Sequence, residues 1–86
     1  MKTLLILLAQ YDGAAIIPID KVCRDYFTHL TPEMFARKVS RAEIRIPLVR
    51  MENSQKAAKG IHLTDLANYL DARTEAARKE LRQLSG

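Results

Sequence analysis

The apolar and polar positions divide the 86-residue chain into segments of different period. Leu4–Ala9 is apolar without a clear face, and Leu outweighs the β-branched residues, which favours a helix over about 3–12. Gly13 is placed to end it at the first position past the cap. A brief extended piece follows at about 15–18 and stops at Pro18. Helical period returns at about 20–28, with Asp20 as cap and Val22, Cys23, Tyr26 and Phe27 on one face. After the break Thr28-His29-Leu30, the string Thr31-Pro32-Glu33 reads as a helix start: cap, proline at the first helical position, acid at the positive end of the dipole. That helix runs to about 42. Met34, Phe35, Val39 and Ala42 form its apolar face, and Glu33, Ala36, Arg37, Ser40 and Arg41 its polar one.

The period then changes from about 3.6 to 2. Ile44, Ile46 and Leu48 alternate with Arg45 and Pro47, and Val49-Arg50-Met51 continues the run, which predicts a strand over 44–51 with Pro47 on an edge. A polar loop at 52–60 leads to a short return strand, Ile61-His62-Leu63, and so to a two-stranded β-hairpin with a basic tip. Thr64 is placed to cap a last helix of about 65–83, striped by Leu66, Leu70, Ala77, Leu81 and Leu84, flanked by Tyr69 and interrupted by Arg73. From Ala76 onward this helix is too long to pack on so small a domain; it extends outward or meets a partner helix. The expected fold is mainly α with a small β-hairpin, a winged helix-turn-helix: an N-terminal helix and short strand in 1–18, the helix-turn-helix in 19–43, the wing hairpin in 44–63 and the C-terminal helix in 64–86, all one domain.

Composition narrows the function. A chain this short buries only about 60–65% of its unfolded surface, which disfavours a large enzyme pocket and makes a second copy useful. The single Cys23 forms no internal disulfide, and Cys23, His29 and His62 cannot alone make a metal cluster. Cys23 reads as a small buried apolar residue, the two histidines as turn and strand-face residues, and Tyr26, Phe27 and Phe35 as core. No nucleophile–base pair, phosphate loop or carboxylate pair is visible, so no enzyme activity and no cofactor are expected. Met1-Lys2-Thr3 with Leu4–Ala9 mimics a secretory leader, but six apolar residues are fewer than a leader's apolar region and far fewer than the about 20 of a membrane span. A cytoplasmic protein with no membrane partner is expected.

Charge changes the picture most. The formal net charge is +4, yet residues 37–59 contain seven basic and two acidic residues, an excess of +5, and the remainder nets −1. An excess confined to one stretch points to a polyanion. The second helix of a helix-turn-helix can enter the major groove, and here it offers Arg37, Lys38, Ser40 and Arg41. The hairpin offers Arg50, Asn53, Ser54, Gln55, Lys56 and Lys59 to phosphates or an adjacent groove. Double-stranded DNA is therefore the expected partner. The apolar N-terminal segment and the surplus last helix point further to a homodimer on repeated half-sites.

The chain resembles the pyocin activator protein PrtN family over nearly its whole length. The resemblance rests on Leu8–Gly13, Ile17–Phe27, His29–Glu33, Ile46–Arg50, Ser54–Lys56 and Gly60–Arg73, blocks that share one order and spacing. It implies a DNA-binding activator of bacteriocin genes that occupies short repeated promoter elements and recruits transcription, with RNA polymerase as a further candidate partner and a repressor lost after DNA damage as its control. A weaker similarity links the wing-to-helix layout to excisionase and MerR-like winged helices. Two other functions remain open: a protein-interaction module (an antirepressor or polymerase-binding factor), and an excisionase-like architectural protein that bends DNA.

Overall fold

The computed structural model describes residues 2–86; Met1, the start of the leader-like run, lies outside the described residues. The order is α1 (Lys2–Gln10), β1 (Ile16–Pro18), α2 (Ile19–Tyr26), α3 (Pro32–Ser40), β2 (Val49–Arg50), β3 (Lys59–His62) and α4 (Leu63–Ser85). The protein is mainly helical, with one small antiparallel sheet. The sheet has three strands in the order β1-β3-β2: the short strand expected at about 15–18 forms and joins the two of the hairpin. Ile16, Ile17 and Pro18 pair with His62, Ile61 and Gly60, so the short extended piece before Pro18 becomes an edge strand. Val49 and Arg50 pair with Gly60 and Lys59.

Several local expectations are corrected. The strand expected over 44–51 shrinks to Val49–Arg50, and β3 begins at Lys59 rather than Ile61. Residues 44–48 still bury alternate side chains, Ile44 and Ile46, but their backbone is irregular: period 2 here reports alternate burial, not ladder pairing. Asp20 is not the cap of α2. β1 runs into that helix without a loop, so Pro18 occupies the cap position with no side-chain bond, and Asp20 sits inside the first turn, where it faces the positive dipole end. For the same reason α4 starts at Leu63, and the cap is His62, whose Nδ1 accepts from the Thr64 N–H at 3.1 Å. Gly13 lies one residue later than expected: Asp12 (φ 53°) takes the left-handed position after α1, and the Gly13 N–H reaches the Leu8 carbonyl at 2.8 Å. The α3 start stands as read, with the Thr31 hydroxyl accepting from the Met34 N–H at 3.2 Å and Pro32 in the first turn. Met34 is largely exposed and Ala42 lies beyond the helix, so Phe35 and Val39 do the packing.

The core is apolar throughout. Phe35, Val22, Ile61 and Leu66 are fully buried, joined by Leu7 of α1 and Ile17 of β1. Phe27, just after α2, has its ring 4.8 Å from Phe35 and 5.7 Å from Tyr69, which ties α2, α3 and α4 together. Cys23 is buried, and burial pushes its thiol pKa up. Beside this core, Asp25 gathers a polar cluster that fastens α1 to α2. Its carboxylate accepts from Arg24 at 2.9 and 3.0 Å, from the Tyr11 hydroxyl at 2.7 Å and from Gln10 at 3.5 Å. The Arg24 guanidinium, then the Tyr11 hydroxyl, hold the Asp25 carboxyl down at about 2. Burial and the adjacent Asp25 push Tyr11 up.

Three outcomes follow. A Cβ at Gly60 would lie 2.6 Å from Ile16 Cγ2 and 2.8 Å from the Ile17 carbonyl oxygen, so Gly60→Ala forces strand against strand. It should destabilise the fold by about 1–3 kcal/mol, read as a lowered denaturation midpoint. At the end of α3, Ala42 has φ 58°, with the Ala42 and Glu43 N–H groups bonded to the Val39 and Lys38 carbonyls. Glycine suits that conformation better, so Ala42→Gly should stabilise by about 1 kcal/mol and raise Tm by roughly 4–8 °C. Asp25 titrates lower folded than in an unfolded chain, where an Asp lies near about 3.9. The stability it contributes is complete above that value and is lost as pH falls towards about 2. Asp25→Asn should thus melt with a shallower acid dependence below about pH 4 than the parent; parallel acid slopes would count against this cluster.

Candidate nucleic-acid interface

Two elements present the basic stretch. α3 leans on α2 through Phe35, which turns Arg37, Ser40 and Arg41 to solvent. The Ser40 hydroxyl donates to the Arg37 carbonyl at 2.8 Å, folding back on its own helix. The Lys38 ammonium lies 3.2 Å from Glu43 Oε1, a half-exposed ion pair across the end of the helix. Among the described residues Arg37 and Arg41 have no ion-pair or side-chain hydrogen-bond partner, which leaves two planar guanidinium forks open to an outside acceptor. Arg37 sits in the last turn of α3 and Arg41 at its C-cap, where cations also suit the negative end of the helix dipole.

The chain then crosses to the hairpin. The buried Ile44 and Ile46 anchor this crossing and leave Arg45 exposed between them. Arg45 belongs to the basic stretch but was not among the expected contact residues; its place between two buried isoleucines was the signal. It borders a 480 Å³ groove shared with Glu43, Asp65, Tyr69 and Arg73, a lining of mixed sign that does not select anions.

At the hairpin, the Met51 N–H bonds to the Ala58 carbonyl at 3.0 Å just beyond the last paired residues. The tip is a folded turn. The Ala57 N–H reaches the Ser54 carbonyl at 3.1 Å, and the Ser54 hydroxyl accepts from the Lys56 N–H at 3.2 Å. Lys59 reaches back under this turn, donating to the Gln55 carbonyl at 2.9 Å and the Ala57 carbonyl at 3.5 Å. Arg50, Asn53, Ser54, Gln55 and Lys59 line one 340 Å³ concavity, so five of the expected residues are brought together. Lys56 projects outside it and is exposed.

The basic residues thus fall into two kinds. Lys38 and Lys59 are already engaged by Glu43 and by tip carbonyls. Arg37, Arg41, Arg45, Arg50 and Lys56 are exposed and unengaged among the described residues. None of these five has to give up an internal partner among the described residues before meeting an outside acceptor. Among the described residues, no group of three or more His, Cys, Asp or Glu side chains could hold a metal ion, and no helix is long and apolar enough to cross a membrane.

Comparison with curated proteins and with solved structures finds no similar chain. A family model described as pyocin activator protein PrtN matches residues 3–77, which takes in α1, the sheet, α2, α3 and most of α4. With that much of the fold covered, the chain belongs to the pyocin activator protein PrtN family.

Proposed function

We propose that the protein is a sequence-specific duplex-DNA-binding activator of pyocin gene transcription, acting in the cytoplasm without a cofactor. The family supports the activator role. The observation that carries DNA binding is the +5 excess of residues 37–59, presented on exposed side chains of α3 and the hairpin. In this reading α2 and α3 form a helix-turn-helix, and β2 and β3 with their tip are the wing, a winged helix in which β1 supplies a third strand.

The steps are physical ones. Unengaged cations attract duplex DNA and release its counterions on contact. α3 enters the major groove, where Arg37 or Arg41 bonds guanine through two parallel N–H donors, worth about 1–3 kcal/mol of discrimination per good pair. The wing places Arg50 and Lys56 on phosphates, and Asn53, Ser54 and Gln55 against the backbone or an adjacent groove. Lys59 supports the tip from below, and Lys38 steadies the end of α3. Bound at repeated promoter elements, the protein recruits RNA polymerase; no catalytic step is required of it.

A salt titration of binding to its promoter DNA tests this. Affinity should fall with salt at a log–log slope of about −4 to −7, set by about four to eight phosphate contacts. A flat, weak response would refute DNA binding and favour a protein-interaction module. Arg37→Ala and Arg41→Ala should reduce discrimination between cognate and scrambled duplexes, while Lys56→Ala weakens both alike and lowers the slope by about one. Parent-like behaviour of all three variants would overturn the assignment of faces.

A further inference from the structure

The distal half of α4 belongs to no packing layer of the domain. Every residue from Asp71 onward is exposed, Leu81 to 64% and Leu84 to 81%. Leu70, Thr74, Ala77, Leu81 and Leu84 follow one another at steps of four, three, four and three, the seam spacing of a two-helix coil. The Thr74 hydroxyl donates to the Leu70 carbonyl at 2.8 Å, so burying Thr74 leaves no orphan donor. Small Thr74 and Ala77 at the centre permit a close approach, with Leu70 and Leu81 closing either end.

The charges beside this seam select what covers it. Asp71 and Arg78 flank it on one side, Arg73 and Glu80 on the other. In a parallel pair of copies, Arg73 would face the partner's Arg78, a repulsive contact. In an antiparallel pair with Leu70 against the partner's Leu81, Thr74 meets the partner's Ala77. Arg73 then meets the partner's Glu80 and Asp71 meets the partner's Arg78, and two-fold symmetry repeats each contact. One register satisfies the apolar layers and both charge flanks. Arg73 and Glu80 have no partner among the described residues, Arg78 holds only a 3.9 Å contact to Glu75, and Asp71 accepts only from Thr3. Glu75 and Arg82 pair with each other at 3.3 Å, away from the seam.

The geometry points to a second copy of this chain as the occupant: the protein is an antiparallel dimer through α4, centred between Thr74 and Ala77. The pairing uses no residue of the basic stretch, and Leu81 and Leu84 lie beyond the region the family matches, so it stands or falls apart from DNA binding.

Sedimentation of the full chain should give a dimer at tens of micromolar. Leu81→Glu should weaken association about tenfold or more while leaving the circular dichroism melt intact, because Leu81 is exposed. Arg73→Glu and Glu80→Arg should each weaken the dimer, and the double variant should restore it. A spin label on Ser85→Cys, with Cys23 buried and unlabelled, should report about 30 Å between copies, against about 10 Å for a parallel pair. A monomer at hundreds of micromolar, a short label distance, or no loss on charge reversal would overturn the inference. If Leu81→Glu unfolded the chain, the charge-reversal pair and the label distance would still decide it.

Discussion

The pairing of Ile17 with Ile61 holds one end of the chain against the other, and most of the molecule is arranged by it. Both side chains are buried, and the ladder continues through the Leu63 N–H to the Ala15 carbonyl at 2.9 Å. The segment between Ile17 and Ile61 contains α2, α3, β2 and the hairpin tip, so this contact closes a loop around the whole basic stretch. Each strand passes into a helix without an intervening loop, β1 into α2 and β3 into α4. Strand register therefore fixes where both helices begin, and with them which faces meet Phe27 and Phe35. Gly60 makes this approach possible, since any larger residue would meet the β1 backbone.

Electrostatics divides the surface by how its charges are employed. Near α1 and α2, Asp25 engages Arg24, Tyr11 and Gln10, and its lowered pKa records how completely its charge is stabilised. On the far part of α4, Glu75 and Arg82 form an exposed pair worth little by itself. Residues 37–59 carry the largest surplus, and there the arginines outnumber the acids able to reach them. Surplus charge raises the self-repulsion of the folded state slightly. A ligand of opposite sign relieves it.

What could be read from the sequence was whatever is decided locally. Thr31-Pro32-Glu33 specifies a helix start through neighbouring backbone groups, and it formed as read. The surplus of residues 37–59 needs no fold to be seen. The misreadings concern contacts between distant residues. The short strand expected at about 15–18 formed as β1, but nothing in three residues ending in proline told that it would pair with Gly60 and Ile61. Ile44-Arg45-Ile46 has the alternation of a strand, but two anchored isoleucines in an irregular crossing alternate just as well. The two helix caps expected at Asp20 and Thr64 moved because neither helix has a loop before it. At the candidate site, the open state of Arg37 and Arg41 followed from their spacing, whereas the engagement of Lys59 by the Gln55 carbonyl depends on how the tip folds back.

The loop-free junctions at Pro18–Ile19 and His62–Leu63 have an evolutionary consequence. An inserted residue at either would slip the sheet register or rotate a helix by about 100°, and the core would lose its alignment. Length can change at little penalty at the mostly exposed 52–57 tip. Relatives of this chain can therefore diverge in reach at the hairpin tip, while the distance between α3 and the strand that holds it stays constant.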